Sequence, residues 1–188
     1  MSSERQRLLQ LFIQLAYEKR KVVLSSGRES DFYIDTKQAS LSAEGHFLIG
    51  RLGLAAIRAR HPGVQAVGGL TMGADPIASA ISLTSFLAQE AGAGPAIPAF
   101  YVRKEPKGHG TNQWVEGKKG LPASAKVVVV EDVVTTGAST LKAVERCRIE
   151  GLDVLGVLAL VDRQEGGREA VEEKGIALES LFVRSDFP

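Results

Sequence analysis

Two acids stand side by side, Glu131 and Asp132, at the end of the apolar run KVVVV. Behind them the chain reads VVTTGAST over residues 133–140. Adjacent carboxylates are acceptors suited to a pair of neighbouring sugar hydroxyls. A glycine-bearing turn that opens a helix offers successive backbone N–H groups to an anion. Gly137 permits the backbone geometry such a turn needs. Thr135, Thr136, Ser139 and Thr140 add hydroxyl donors. A phosphate cradle beside a diol clamp is chemistry for ribose 5-phosphate. The competing account of the same residues is a polar strand-to-helix turn with a capped helix.

A second cluster lies in YVRKEPKGHGTNQWVEG, residues 101–117, which carries Arg103, Lys104, Lys107 and His109 among glycines. A solvated basic loop explains such a run, and so does a lid over a highly charged substrate. Cations that close over a departing polyanion stabilise its charge and exclude water. Other chemistries fail on spacing. The chain has no G-x-x-x-x-G-K-[ST] loop. The G-x-G at residues 92–97 follows a helical pattern and lacks its third glycine. His46, His61 and His109 are scattered and form no metal-ligand spacing.

These residues need elements to hold them. The apolar run at 126–132 is continuous, as in a strand buried on both faces. Further strands are expected at 64–70, 99–104, 113–117, 154–163 and 177–183. Helices are expected at 3–19, 42–60, 76–92, 139–151 and 167–175, from apolar spacing and stop signals. Asp75 is expected to cap the third of these, with Pro76 at its first position. The segment at 113–117 is expected to pair with the strand before the basic loop. Strands alternating with helices predict an α/β fold: an open, mostly parallel twisted sheet flanked by helices. In such sheets ligands sit at the carboxyl ends of the strands, where the acid pair lies.

The chain has 188 residues, 44% hydrophobic and 24% charged, which suits a single domain over residues 1–188. Lys plus Arg is 23 against 22 Asp plus Glu, a net charge of +1. That balance argues against a nucleic-acid coat or a membrane-surface binder. The single cysteine, Cys147, excludes an internal disulfide. No apolar signal core or membrane-length run is seen. The expectation is a cytoplasmic protein with neither nucleic acid nor membrane as partner.

The whole string VVVVEDVVTTGAST resembles the phosphoribosyl-diphosphate motif of the type I phosphoribosyltransferases. The lid spacing R-K-x-x-K-x-H-G, followed by E-G, resembles the orotate phosphoribosyltransferase family. SSGRESDFYID, GGLTMGADPIASAI and the pair Asp162–Arg163 match further segments of that family, in order, over residues 24–163. The resemblance implies that fold, with a small N-terminal hood. It implies transfer of phosphoribosyl from phosphoribosyl diphosphate (PRPP) to orotate, in pyrimidine synthesis. Arg103, Lys104, Lys107 and His109 would contact the pyrophosphate, with Lys107 and His109 aiding its departure. Glu131 and Asp132 would hold the ribose hydroxyls, Asp132 being counted with the catalytic residues. The segment Val133, Val134, Thr135, Thr136, Gly137, Ala138 and Ser139 would bind the rest of PRPP. Thr135 and Arg163 would meet orotate. Mg²⁺ would arrive on PRPP, with no dedicated protein ligands. A homodimer is implied, because the lid lysine serves the neighbouring subunit.

The chain departs from that family twice. Ser25 stands where many members have a lysine before S-G-R, and Met72–Gly73 stands where many have Tyr-Lys. Two positive charges are missing against that version. A transferase for another base is the nearest rival, and the lid spacing and Arg163 argue against it. A non-catalytic PRPP sensor that binds nucleic acid is the other. Against it stand the near-neutral charge and a first helix expected within a few residues of Met1.

Overall fold

The computed structural model describes residues 3–23, 29–106 and 113–188. Two sheets form. A ribbon pairs β1 (Tyr17–Val23) antiparallel with β2 (Glu29–Ile34). The main sheet contains β3 (Ala66–Leu70), β4 (Ala99–Val102), β5 (Val115–Glu116), β6 (Lys126–Val134), β7 (Asp153–Asp162) and β8 (Leu178–Val183), in the order β5-β4-β3-β6-β7-β8. All neighbours run parallel except β4 and β5. Among the described residues six α-helices accompany them: α1 (Ser3–Leu15), α2 (Lys37–Ser40), α3 (Ala43–Arg60), α4 (Asp75–Glu90), α5 (Ala138–Ile149) and α6 (Gly167–Glu172).

The central strand explains the layers. Val127, Val128, Val129 and Val130 are all fully buried, and alternate side chains point to opposite faces. Val128 and Val130 join Leu48, Ile57, Ile77 and Ile81 of α3 and α4. Val127 and Val129 join Ala143, Val144 and Cys147 of α5 and Val171 of α6. Burial on both faces is why the sequence shows a continuous run and no alternation. Cys147 is a small core residue, as its apolar setting requires.

An aromatic cluster ties the ribbon and α1 to the sheet. Phe12 meets Phe182 edge-on at 5.5 Å, Phe32 meets Phe187 edge-on at 5.4 Å, and Tyr17 lies 5.2 Å from Phe32. Such pairs add about 0.5–1.5 kcal/mol each beyond the area they bury. The ribbon thus stands as a hood beside the strand ends.

Three expectations need correction. The first helix stops at Leu15 and not at Lys19, because Tyr17, Glu18 and Lys19 pair with Ile34, Tyr33 and Phe32 of β2. A β-former, Tyr17, half-buried against Phe32, outweighs the helical tendency of Glu18 and Lys19. Asp75 does not cap α4. Ala74 holds the cap position without a side-chain bond, and Asp75 is the first helical residue. The turn tightens one residue early, since Ala78 N–H already donates to the Ala74 carbonyl at 2.9 Å. The central strand does not end at Asp132. Val133 and Val134 continue it, paired with Val161 and Asp162 of β7.

Candidate active site

Three chain segments converge where the strand order reverses between β3 and β6. They are the Thr71–Gly73 turn after β3, the Glu131–Asp132 pair of β6, and Ser139 at the start of α5. This crevice at the carboxyl ends of parallel strands is the usual ligand position in such sheets. A cavity of about 270 Å³ opens there, and its walls include Lys37, Gly73, Lys104, Glu131, Asp132 and Ser139.

Because Glu131 and Asp132 are successive strand residues, their side chains leave the sheet on opposite faces. Glu131 is 5% exposed and turns toward α5. Its Oε2 accepts from the Ser139 hydroxyl at 2.9 Å and the Thr140 hydroxyl at 3.0 Å. Burial pushes this carboxyl up to about 7, and the neighbouring Asp132 charge adds to the effect. The two hydroxyls act in the other direction. Asp132 accepts from the Val133 N–H at 2.9 Å through Oδ1. Its Oδ2 lies 3.4 Å from the Thr36 hydroxyl and 3.9 Å from Lys37 Nζ.

The turn from Thr135 to Gly137 then hands the chain to α5. Gly137 has φ 78°, the left-handed region, and a Cβ there would meet the Gly167 carbonyl oxygen at 2.8 Å. Glycine is required on both counts. Thr136, Ala138 and Ser139 are exposed around the helix N-terminus. Backbone donors and hydroxyls at this point form an anion-binding arrangement.

Of the basic residues, Lys104 reaches the cavity wall. Arg103 forms an ion pair with Glu116 at 2.8 Å, beside the cavity and not among its lining residues. Lys107 and His109 lie outside the described residues, as do Ser25 and the S-G-R segment. Arg163 is 7% exposed at the end of β7. It donates to the Phe32 carbonyl at 3.0 Å, and its Nε donates to Glu165 Oε1 at 3.0 Å. It sits between the hood and the sheet, apart from the acid pair's cavity.

Three residues of this region were missed by sequence reasoning. Thr36 and Lys37 approach Asp132 from α2, a one-turn helix too short to show periodicity. Arg146, buried on α5, donates to the Arg103 carbonyl at 2.6 Å and the Lys104 carbonyl at 2.9 Å. An arginine on the buried side of a helix was its only sequence signal.

The fold and this crevice define a phosphoribosyltransferase-type domain, and a family model described as the phosphoribosyl transferase domain matches residues 66–176. A Sorangium cellulosum orotate phosphoribosyltransferase is 51% identical over 186 residues, covering 99% of this chain and 94% of the relative. The solved Mycobacterium tuberculosis orotate phosphoribosyltransferase superposes with a TM-score of 0.82 at 39% identity, covering 97% and 98% of the two chains. The same protein has been solved in complex with PRPP; that structure matches with a TM-score of 0.78 at 37% identity, over 97% and 98% of the two chains. The chain therefore belongs to the orotate phosphoribosyltransferase family.

Proposed function

We propose that the chain transfers the phosphoribosyl group of PRPP to orotate, giving orotidine 5′-phosphate and diphosphate in pyrimidine synthesis. One observation carries this reading at the site. The Glu131–Asp132 pair and Ser139, from the glycine-turn helix, share one cavity with Lys37 and Lys104. Sugar hydroxyls, a 5-phosphate and a diphosphate each find matching chemistry within it.

The C1–O bond of PRPP breaks and its electron pair leaves with diphosphate. N1 of orotate bonds to C1, and its proton passes to the departing diphosphate. The transition state is oxocarbenium-like, so the protein's work is positioning and charge stabilisation. Asp132 and Glu131 orient the ribose through its two hydroxyls. The Val133–Ser139 segment holds the 5-phosphate. Lys104 faces the diphosphate side, and Arg103 joins it by leaving Glu116. Lys107 and His109 are assigned to the departing diphosphate from the family resemblance. Arg163 and Thr135 are assigned to orotate, where a planar guanidinium suits carboxylate and carbonyl oxygens.

Mg²⁺ enters as part of the substrate, chelated by diphosphate. Among the described residues no three His, Cys, Asp or Glu side chains cluster as a metal site. The paired carboxylates at the cavity suit a cation that arrives on its own ligand. When bound, the ion neutralises charge on the leaving group.

A second copy of the chain is the expected partner. Phe47, Leu83, Phe86 and Leu87 of α3 and α4 are exposed, as is Met72 at the crevice. This apolar face borders the site, which supports a homodimer whose subunits share the Lys107 segment. No helix among the described residues is long and apolar enough to cross a membrane.

The test is turnover of orotate with PRPP and Mg²⁺, followed by loss of orotate absorbance, with adenine, hypoxanthine and uracil in parallel. Orotate alone should be consumed, and chelation should stop it. Consumption of another base would overturn the substrate assignment. Sedimentation should give a dimer, and a monomer that turns over at full rate would refute the shared site.

A further inference from the structure

Resting on the reading above, we propose that Lys37 is a diphosphate-binding residue of this site, supplying from α2 the charge that Gly73 does not carry.

The position of Gly73 leaves no room for a cation from its own side. A Cβ on Gly73 would lie 2.6 Å from both Cγ and Oδ1 of Asp132. The acid is packed flat on the glycine backbone, so any side chain at 73 must displace it. Charge has to come from another element, and Lys37, with Nζ 3.9 Å from Asp132 Oδ2, lines the same cavity. Lys37 and Lys104 are the two cations among the cavity's lining residues.

Lys37 is also held ready. Its Nζ lies 2.8 Å from Asp35 Oδ1 and 3.9 Å from Asp132 Oδ2. Asp35 is itself fixed by the Gln38 amide at 3.1 Å and by the Lys37 N–H at 3.3 Å. Thr36, fully buried between them, aims its hydroxyl at Asp132. The Lys37 ammonium is therefore fully charged, its pKa raised chiefly by the bond to Asp35. The side chain remains 42% exposed, so it reaches solvent inside the crevice and an arriving anion can meet it. A lysine there serves as a compact point charge with three rotatable donors, which suits a diphosphate oxygen.

The alternative is that Lys37 only props Asp132 in place. The two roles separate by ligand. Calorimetric titrations of Mg²⁺-diphosphate, ribose 5-phosphate and PRPP into the wild-type chain, Lys37→Gln and Lys37→Arg distinguish them. Lys37→Gln should weaken Mg²⁺-diphosphate and PRPP by roughly tenfold while ribose 5-phosphate changes less than about twofold. Lys37→Arg should recover most of the loss. Equal loss for ribose 5-phosphate would show a prop and overturn the proposal. So would unchanged diphosphate binding in Lys37→Gln. If the wild-type chain bound no PRPP at all, the transferase assignment would fall first, which is a different result from a silent Lys37 variant.

Discussion

The guanidinium of Arg146 lies 4.1 Å above the ring of Trp114. The same group donates to the carbonyls of Arg103 and Lys104, while the Trp114 backbone N–H donates to Glu150 Oε1 at 2.6 Å. Helix α5 therefore grips the chain on both sides of the basic segment. Arg146→Ala removes two charge-assisted bonds and the stacking contact, at a cost of roughly 3 kcal/mol. Denaturant unfolding should show a lower midpoint with an unchanged slope. Turnover per PRPP bound should fall about tenfold, since Lys104 loses its anchor. Arg146→Lys keeps the charge without the fork and should fall between the two. A variant with wild-type stability would show that the contact contributes nothing.

The raised Glu131 carboxyl gives a pH signature. Its ordinary value is 4.5 and its folded value is about 7. Between these the folded protein keeps a proton that the unfolded chain has lost. Its contribution to stability is therefore full below about 4.5, declines as pH rises, and is exhausted above about 7. Stability of the free protein against unfolding should fall as pH rises across that window, and Glu131→Gln should flatten the decline. Ribose hydroxyls donate to the ionised form, so PRPP binding near pH ~6.5 should release a proton. Titration calorimetry in two buffers of different ionisation heat reads this directly. Equal heats in the two buffers would refute it.

Arg163 sits at the hood boundary, 5.3 Å from the Phe32 ring and bonded to Glu165. If it serves orotate, Arg163→Gln should raise the KM for orotate by roughly 10- to 100-fold, the value of one or two charge-assisted bonds. The affinity for PRPP should hold within about twofold. A matched loss for both substrates would assign Arg163 to packing the hood.

Two glycines make opposite predictions. Gly137→Ala forces a left-handed backbone and a 2.8 Å approach to the Gly167 carbonyl oxygen. It should destabilise the fold by ~1–2 kcal/mol or more and weaken ribose 5-phosphate binding. Gly73→Ala strains no dihedral but displaces the Asp132 carboxylate. Its melting temperature should stay within a few degrees while kcat/KM drops about tenfold. Crystals of Gly73→Ala with an unmoved Asp132 would remove that explanation.

The parallel sheet was legible because burial on both faces writes itself as a valine run, and Gly137 because a left-handed turn admits little else. The acid pair was legible as chemistry but not as geometry. Alternation along β6 sends Glu131 under α5 and Asp132 toward α2, a divergence that follows only once the strand is known to run on to Val134. The contribution of α2 was hidden because four residues carry no period. Arg146 was hidden because its partners are backbone carbonyls, which any residue type supplies. The β1 strand was hidden because its lysines and glutamate match an exposed helix as readily as an exposed ribbon edge.

The ribbon of β1 and β2 shares no strand pairing with the six-stranded sheet. Rings and a few arginine bonds hold it in place, whereas the acid-pair side of the crevice is built into β6 and α5 by Glu131, Ser139 and Thr140. The molecule is therefore modular along its site. One part is a chassis that tolerates little revision, because its backbone is its binding surface. The other is a detachable fitting whose residues can be rewritten without unpicking a single hydrogen bond of the main sheet. Lineages descended from such an architecture are free to change what the hood lays over the site while inheriting the acid-pair crevice intact.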